Sequence, residues 1–261
     1  MLSCTESVVG AASGYQHLQY CKSLSQVGRP RALSRCAGWI LEREIPRAPF
    51  RDATGCYPLF ACRHWSRLKD DLAAIAEELV CVSIVTDPFG DYDEALLQEC
   101  FPDKLIHFKQ HLCIDLHFPM AEYVCRHHQR NVVKALACLE VERCWDPPQL
   151  LDDWTRLYSH LIQHRGIHGI AAFSRAAFAT QLAVPGLVAF QARYRDVPVG
   201  MLLWYIQNNV AYYHLGAHNE TGYRLGSSFA LFWRSLEHFN ACGPRWIDLG
   251  AGASSTSRKA A

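Results

Sequence analysis

The residues best suited to chemistry lie between Leu187 and Gly250. His214 falls in the apolar run Val210 to His218, flanked by Tyr212, Tyr213 and Leu215. An imidazole changes charge near neutral pH, so His214 is either a general base or a hydrogen-bonded core histidine. Successive residues of a strand face opposite ways, so Tyr213 points to the other side and competes for the same role. Asp248, in Trp246-Ile247-Asp248-Leu249, can hold an amine or hydroxyl, or can cap a turn. The glycine-bearing segment Gly222 to Ser228 leads into a helical pattern. A helix N-terminus fed by such a loop is where a phosphate-carrying cofactor binds.

Other clusters have plainer readings beside their chemical ones. Arg126, His127, His128, Arg130 and Lys134 make a basic helix. It would grip a phosphate, a polyanionic lipid-linked sugar or a tRNA backbone, or it is a solvated face. His160, His164 and His168 lack the further ligand a zinc site needs and suit the negative end of a helix, so no metal is assigned. Asp248-Leu249-Gly250-Ala251-Gly252 resembles a nucleotide-binding glycine motif, but no helix pattern follows it. No Gly-x-Ser-x-Gly elbow, P-loop or His-Glu-x-x-His occurs. Twelve cysteines occur without a Cys-x-x-Cys pair, mostly in apolar segments. That pattern predicts buried thiols in a reducing cytosol.

The elements that must position these residues are legible in the same block. Leu187–Tyr194, Val199–Ile206 and Val210–His218 read as three strands, joined by turns at Arg195-Asp196 and Gln207-Asn208-Asn209. Leu225, Phe229, Phe232, Trp233, Leu236 and Phe239 recur at helical spacing, and Gly243-Pro244 ends that helix. Trp246 to Leu249 is a further strand. Upstream, the patterns predict a strand over 39–45, a helix stripe from Trp65 to Leu79 and a buried strand over 80–85. They also predict a short helix over 95–101, a strand over 105–116, a helix over 122–136 and a strand over 138–144. A helix starts at Asp146-Pro147-Pro148-Gln149, and Ser174 starts another. Residues 1 to about 35 lack periodicity and are expected to be poorly ordered.

In this order the chain resembles the FemAB-like, peptidoglycan-bridge branch of the GNAT acyltransferases. The pieces that carry the likeness are Pro198-Val199-Gly200, Ala211-Tyr212-Tyr213-His214-Leu215, Gly222-Tyr223-Arg224-Leu225-Gly226-Ser227-Ser228 and Asp248-Leu249-Gly250. Upstream, Thr86-Asp87-Pro88-Phe89, Phe108-Lys109-Gln110-His111 and Cys125-Arg126-His127-His128-Gln129-Arg130-Asn131-Val132 add to it. The resemblance spans roughly residues 50 to 250, by the order of its pieces. It implies a mixed α/β fold, a central mixed sheet flanked by helices. The GNAT-like domain would occupy 119–261, preceded by a degenerate GNAT-like half over 1–118. It further implies acyl or aminoacyl transfer from an activated donor to an amine or hydroxyl, on a small-molecule or lipid-linked sugar acceptor of the cell envelope.

The site residues implied are His214, Tyr213 and Asp248 for catalysis. Leu215, Gly216, Ala217, Gly222, Tyr223, Arg224, Gly226, Ser227 and Ser228 would hold the donor, with main-chain N–H groups near Leu215 to Ala217 polarising the carbonyl. The donor is acyl-CoA, with acyl carrier protein or aminoacyl-tRNA as the alternatives. The family's pyrophosphate loop generally reads Arg/Gln-x-x-Gly-x-Gly/Ala, and Arg224-Leu225-Gly226-Ser227-Ser228 is offset from it, which counts against coenzyme A in particular.

Composition sets the outer bounds. A formal net charge of +1 gives no bulk attraction to DNA or membranes. No signal peptide and no apolar run of about 18 residues is present, so a cytoplasmic protein without a transmembrane segment is expected. Past Asp248-Leu249-Gly250 the sequence ends in Ser254 to Ala261 without a strand pattern. The final strands of the family would then be missing. The strand at 246–249 would lie at a sheet edge and favour self-association, and a non-catalytic GNAT-like partner protein is the alternative function.

Overall fold

The computed structural model describes residues 11–251 of the chain. The stretch Ser254 to Ala261, expected from its sequence to carry no strand, lies outside them. Two sheets form among the described residues. The first is an antiparallel meander of β1 (Arg29–Leu33), β2 (Gly38–Glu44) and β3 (Arg51–Gly55), with the two-residue β4 (Val82–Ser83) parallel to β3. It is preceded by α1 (Leu18–Ser23). Between β3 and β4 lies α2 (Leu68–Ile75), and after β4 comes α3 (Glu94–Cys100).

The second sheet contains β5 (His111–Asp115), β6 (Glu140–Cys144), β7 (Leu187–Tyr194), β8 (Val197–Gln207), β9 (Val210–His218) and β10 (Trp246–Ala251). Its order is β5-β10-β9-β8-β7-β6, antiparallel throughout except for the parallel β10–β9 pair. The helices around it are α4 (Met120–Tyr123), α5 (Arg126–Leu136), α6 (Leu151–Arg165), α7 (Arg175–Gln181), α8 (Glu220–Leu225) and α9 (Ser227–Cys242).

Local chemistry explains the β7–β9 meander. Arg195 and Asp196 both take positive φ, 49° and 62°, so the turn twists with its strands. Asn208 does the same at the next turn, with φ 52°. Strand β8 is buried along almost its whole length, because helices cover both faces of the sheet. On one face Met201, Leu203 and Tyr205 meet Trp154, Leu157 and Tyr158 of α6 and Phe178 of α7. On the other, Leu202 and Trp204 meet Ala230, Leu231 and Phe239 of α9.

Several expectations from the sequence are corrected. Residues 14–24 are not poorly ordered: Tyr15, Tyr20, Cys21 and Leu24 are buried in the core between α6, α7 and the sheet. Strand β10 is not at a sheet edge, because β5 pairs along its other side. The strand expected over 105–116 forms only at β5, and Leu105, Ile106 and Phe108 stay exposed for want of a surface to cover them. The strand over 80–85 is reduced to β4, with Val80 and Val85 exposed. The helix over 122–136 splits into α4 and α5, where Val124 turns extended and enters the core. Thiols divide as well. Cys21, Cys36, Cys56, Cys62 and Cys100 are buried, whereas Cys81, Cys113, Cys125 and Cys138 are exposed and Cys144 is half-buried.

Candidate active site

The site begins with a fault in the β8–β9 ladder. Leu203 pairs with Leu215 and Trp204 with Tyr213, so His214 is one residue too many. Such a bulge turns main-chain groups out of the ladder, and bulges concentrate next to active sites. It also places His214 and Leu215 toward the same core, beside Tyr212 and Ala217. Tyr213 faces α9 instead, against Trp204 and Phe232.

A second fault lies on the other side of β9. The parallel pairing with β10 runs through Trp246–Val210, Ile247–Ala211 and Asp248–Tyr212, and then stops. Past Tyr212, β9 has no strand beside it on that side among the described residues. The main-chain groups of Tyr213 to His218 that face the parted edge are thus open to a ligand.

His214 is held tightly at this point. It is 8% exposed, with the Tyr15 hydroxyl 3.2 Å from Nδ1 and Gln181 Oε1 3.3 Å from Nε2. With Gln181 accepting, Nε2 carries the proton and Nδ1 accepts from Tyr15. Burial among Tyr15, Tyr20 and Tyr205 pushes the imidazole down to about 3, so it is neutral at pH 7.

Two carboxylates lie nearby on the same face. Asp87 is 2% exposed and accepts from Tyr212 Oη at 2.8 Å, Gln207 Nε2 at 2.9 Å and the Phe89 N–H at 2.9 Å. Burial raises its pKa above the usual carboxylate value, partly offset by those donors. Asp248 is also 2% exposed. It accepts from the Gly250 N–H at 2.7 Å, and its oxygens lie 2.8 and 3.0 Å from Nδ1 of His111. The His111 side chain, at the start of β5, is 19% exposed. Gln207 accepts in turn from the Gln16 N–H at 3.2 Å, which ties the N-terminal segment into the same network.

Further along β9 the chain meets the helix pair. Asn219 Oδ1 caps α8 by accepting from the Gly222 N–H at 2.9 Å. Gly226, with φ 69°, ends α8 and begins α9 without a side-chain cap. The first turn of a sixteen-residue helix is thus left with its N–H groups uncapped by any side chain. Tyr223 and Arg224 are exposed beside it. Helix α5 packs against this turn: Ala135 lies 3.9 Å from a Cβ built at Gly226, and the His128 and Phe229 rings are 5.7 Å apart. Arg126, His127, His128, Arg130 and Lys134 are all exposed on α5.

The candidates from sequence thus separate. Leu215, Gly216 and Ala217 line the parted edge, and Gly226 and Ser228 start α9. Ser227 is fully buried, its Oγ 2.8 Å from Nδ1 of His218, so only its main chain can reach a ligand. Gly222 is buried on the face of α8 that meets β8, where a side chain would strike the Val199 carbonyl. His111, Tyr15, Asp87 and Gln181 were not among the site candidates. Phe108 to His111 stood out only as a stretch of family likeness, and the partner of His111 is 137 residues away.

The bulge and the parted parallel pair both lie on β9, and the uncapped start of α9 follows them along the chain. The model of the acetyltransferase (GNAT) domain family matches residues 123–255, just over half of the chain, and the chain belongs to that family. It is an acyltransferase. The fold is similar to that of FemX, with a TM-score of 0.66 at 12% identity over 96% of this chain and 87% of that one. It is also similar to the C-terminal domain of a putative lysylphosphatidylglycerol synthetase from Agrobacterium fabrum, with a TM-score of 0.63 at 15% identity over 92% of this chain and 74% of that one. L-PGS from Bacillus licheniformis gives 0.63 at 10% identity, over 95% and 80%. The likeness of fold therefore extends over both sheets. No curated protein matches the sequence. Among the described residues, no helix is long and apolar enough to cross a membrane.

Proposed function

We propose that this acyltransferase moves an acyl group from acyl-CoA to an amine or hydroxyl of a lipid-linked cell-envelope precursor, in the cytoplasm. The observation that carries the reading is the open edge of β9 leading to the uncapped first turn of α9. Acyl-CoA would supply the activated thioester and the phosphates. Main-chain groups of Leu215, Gly216 and Ala217 orient the acyl end, and the bulge at His214 presents an N–H to the carbonyl oxygen. The N–H groups of Gly226, Ser227 and Ser228, with Arg224, hold phosphate. Tyr213 lies with its hydroxyl against Gly216 and keeps its proton, because burial pushes it up to about 12. It is the proton donor for the leaving group. The likeness to lysylphosphatidylglycerol synthetase domains supports a lipid-linked acceptor.

Calorimetry with acetyl-CoA tests the reading. Gly226→Asp places a negative charge at the helix start, and affinity should fall at least about tenfold, the scale of one lost charge-assisted contact. Unchanged affinity in the folded variant would move the donor site elsewhere. The exposed cations of α5 beside the same turn favour aminoacyl-tRNA as a second reading, with acyl carrier protein a third donor of the same class. Arg130→Glu should then weaken lysyl-tRNA binding and flatten its salt dependence, while leaving acetyl-CoA binding unchanged.

A further inference from the structure

We propose that His111 is the proton acceptor of the transfer and that Asp248 is its positioning residue. The proposal rests on the acyl-transfer reading above and names the group that activates the acceptor. His111 and Asp248 meet at the point where β10 leaves β9. Asp248 is opposite Tyr212 in the last pair of the parallel ladder. The β5–β10 register slips between Asp248 and Ala251, and Ala251 is opposite His111. The carboxylate lies 2.8 and 3.0 Å from Nδ1 of His111, which places the proton on that nitrogen. Among the described residues Nε2 has no hydrogen-bond partner, and the side chain is partly open to solvent. Asp248 is itself fixed, since it is buried and accepts from the Gly250 N–H at 2.7 Å. A base with one nitrogen oriented by a carboxylate and the other bare is the arrangement a proton acceptor needs.

His214 has the opposite setting. Both of its nitrogens are engaged and it is buried among aromatic rings. It has no lone pair to offer an incoming group.

The acceptor nitrogen or oxygen forms a bond to the acyl carbon, and its proton passes to Nε2 of His111. The bond from that carbon to the donor's sulfur or oxygen breaks, its electron pair staying on the leaving atom. The leaving atom takes a proton from Tyr213 or water; the imidazolium returns its proton to water, and Tyr213, where it was the donor, regains one from water. Groups facing the dyad are Asp87 from the segment after β4, Tyr212 on β9, Cys113 on β5 and Tyr15. The rate should fall toward acid pH, because an imidazolium cannot accept a proton.

The test uses the whole chain with acetyl-CoA and lysyl-tRNA as donors and their hydrolysis as the minimal transfer. His111→Gln should lower kcat by about 10²-fold or more, with donor KM little changed and the acid limb of the pH–rate profile lost. Added imidazole should rescue His111→Ala. Asp248→Asn should lower kcat less and displace the limb, and Asp248→Glu should restore part of the rate. A folded His111→Gln with near-normal kcat overturns the proposal, as does an acid limb that survives in it. Nitrogen-15 NMR of the imidazole decides independently of turnover. A neutral ring with its proton on Nδ1, lost from that position in Asp248→Asn, supports the assignment; a proton on Nε2 overturns it. If the wild type turns over neither donor, it is the acyl-transfer reading that fails, and the NMR result still stands for or against His111.

Discussion

His214 enters the core uncharged, with a folded pKa of about 3 against roughly 6.5 in an unfolded chain. Its folded value is depressed, so between these limits the unfolded chain binds a proton that the folded protein refuses. Stability is therefore full above the unfolded value and falls as pH drops, by about 1.4 kcal/mol per pH unit for this residue. Urea titrations from pH 7 to 4 should show a slope to which His218 and His238, both pushed down to about 4 by burial, also contribute, and His214→Gln should reduce it by one proton's worth. At pH 7 the same variant should cost about 1–3 kcal/mol, because the Tyr15 hydroxyl and Gln181 would be left badly paired in a dry setting. Equal slopes in both proteins would remove the argument. At this scale the sequence shows residue types but not partners. His214 and Asp248 are visible because each sits in a readable strand. His111 is silent, because what gives it meaning is a carboxylate 137 residues away.

Gly222 and Gly200 let α8 and the start of α9 press onto β8. A Cβ at Gly200 would sit 2.5 Å from Nδ1 of His218 and 2.8 Å from the Ser227 hydroxyl. A Cβ at Gly222 would meet the Val199 carbonyl. Gly222→Ala should therefore destabilise the fold by about 1–3 kcal/mol in denaturant titration, since main chain rather than a flexible side chain must yield. A fully stable variant would show that α8 can lift without cost. A different element governs proteolysis. Residues 101–110 form no regular structure and expose Leu105, Ile106 and Phe108. Brief chymotrypsin treatment should cut there first, releasing fragments that separate β5 from the first sheet. First cleavage within α5 or β6 would contradict this. The meander of β7, β8 and β9 was legible because its signals are local: buried runs and turn residues able to take positive φ. Strands β4 and β5 were misjudged in length, because an apolar run becomes a strand only as far as a neighbouring strand pairs with it.

Tyr15 joins the beginning of the described chain to β9, its hydroxyl on His214 and its ring edge-on to Tyr20, Tyr205 and Tyr212. The segment is anchored again where the Gly14 N–H donates to the Pro185 carbonyl at 2.9 Å and Gln16 Nε2 to the Cys62 carbonyl at 3.1 Å. Tyr15→Ala should cost about 3–5 kcal/mol, in the range for an emptied aromatic site, and should unfold both sheets in one transition. Two separate transitions in the wild type would show that the segment does not couple them. Nothing in Gly14-Tyr15-Gln16 announces this role. The segment has no periodicity of its own, and its order comes wholly from surfaces made elsewhere.

The same joint has a consequence for how the protein is made. Tyr15 leaves the ribosome 199 residues before its partner His214. Closing so long a loop is an entropic cost met late, and until then Tyr15 and Tyr20 lack the β8 and β9 side chains they pack against. The nascent first half must therefore wait with apolar side chains uncovered, the condition under which chaperones bind. A ribosome-stalled chain ending before β9 should leave residues 14–24 open to protease, and a chain extended past β10 should protect them.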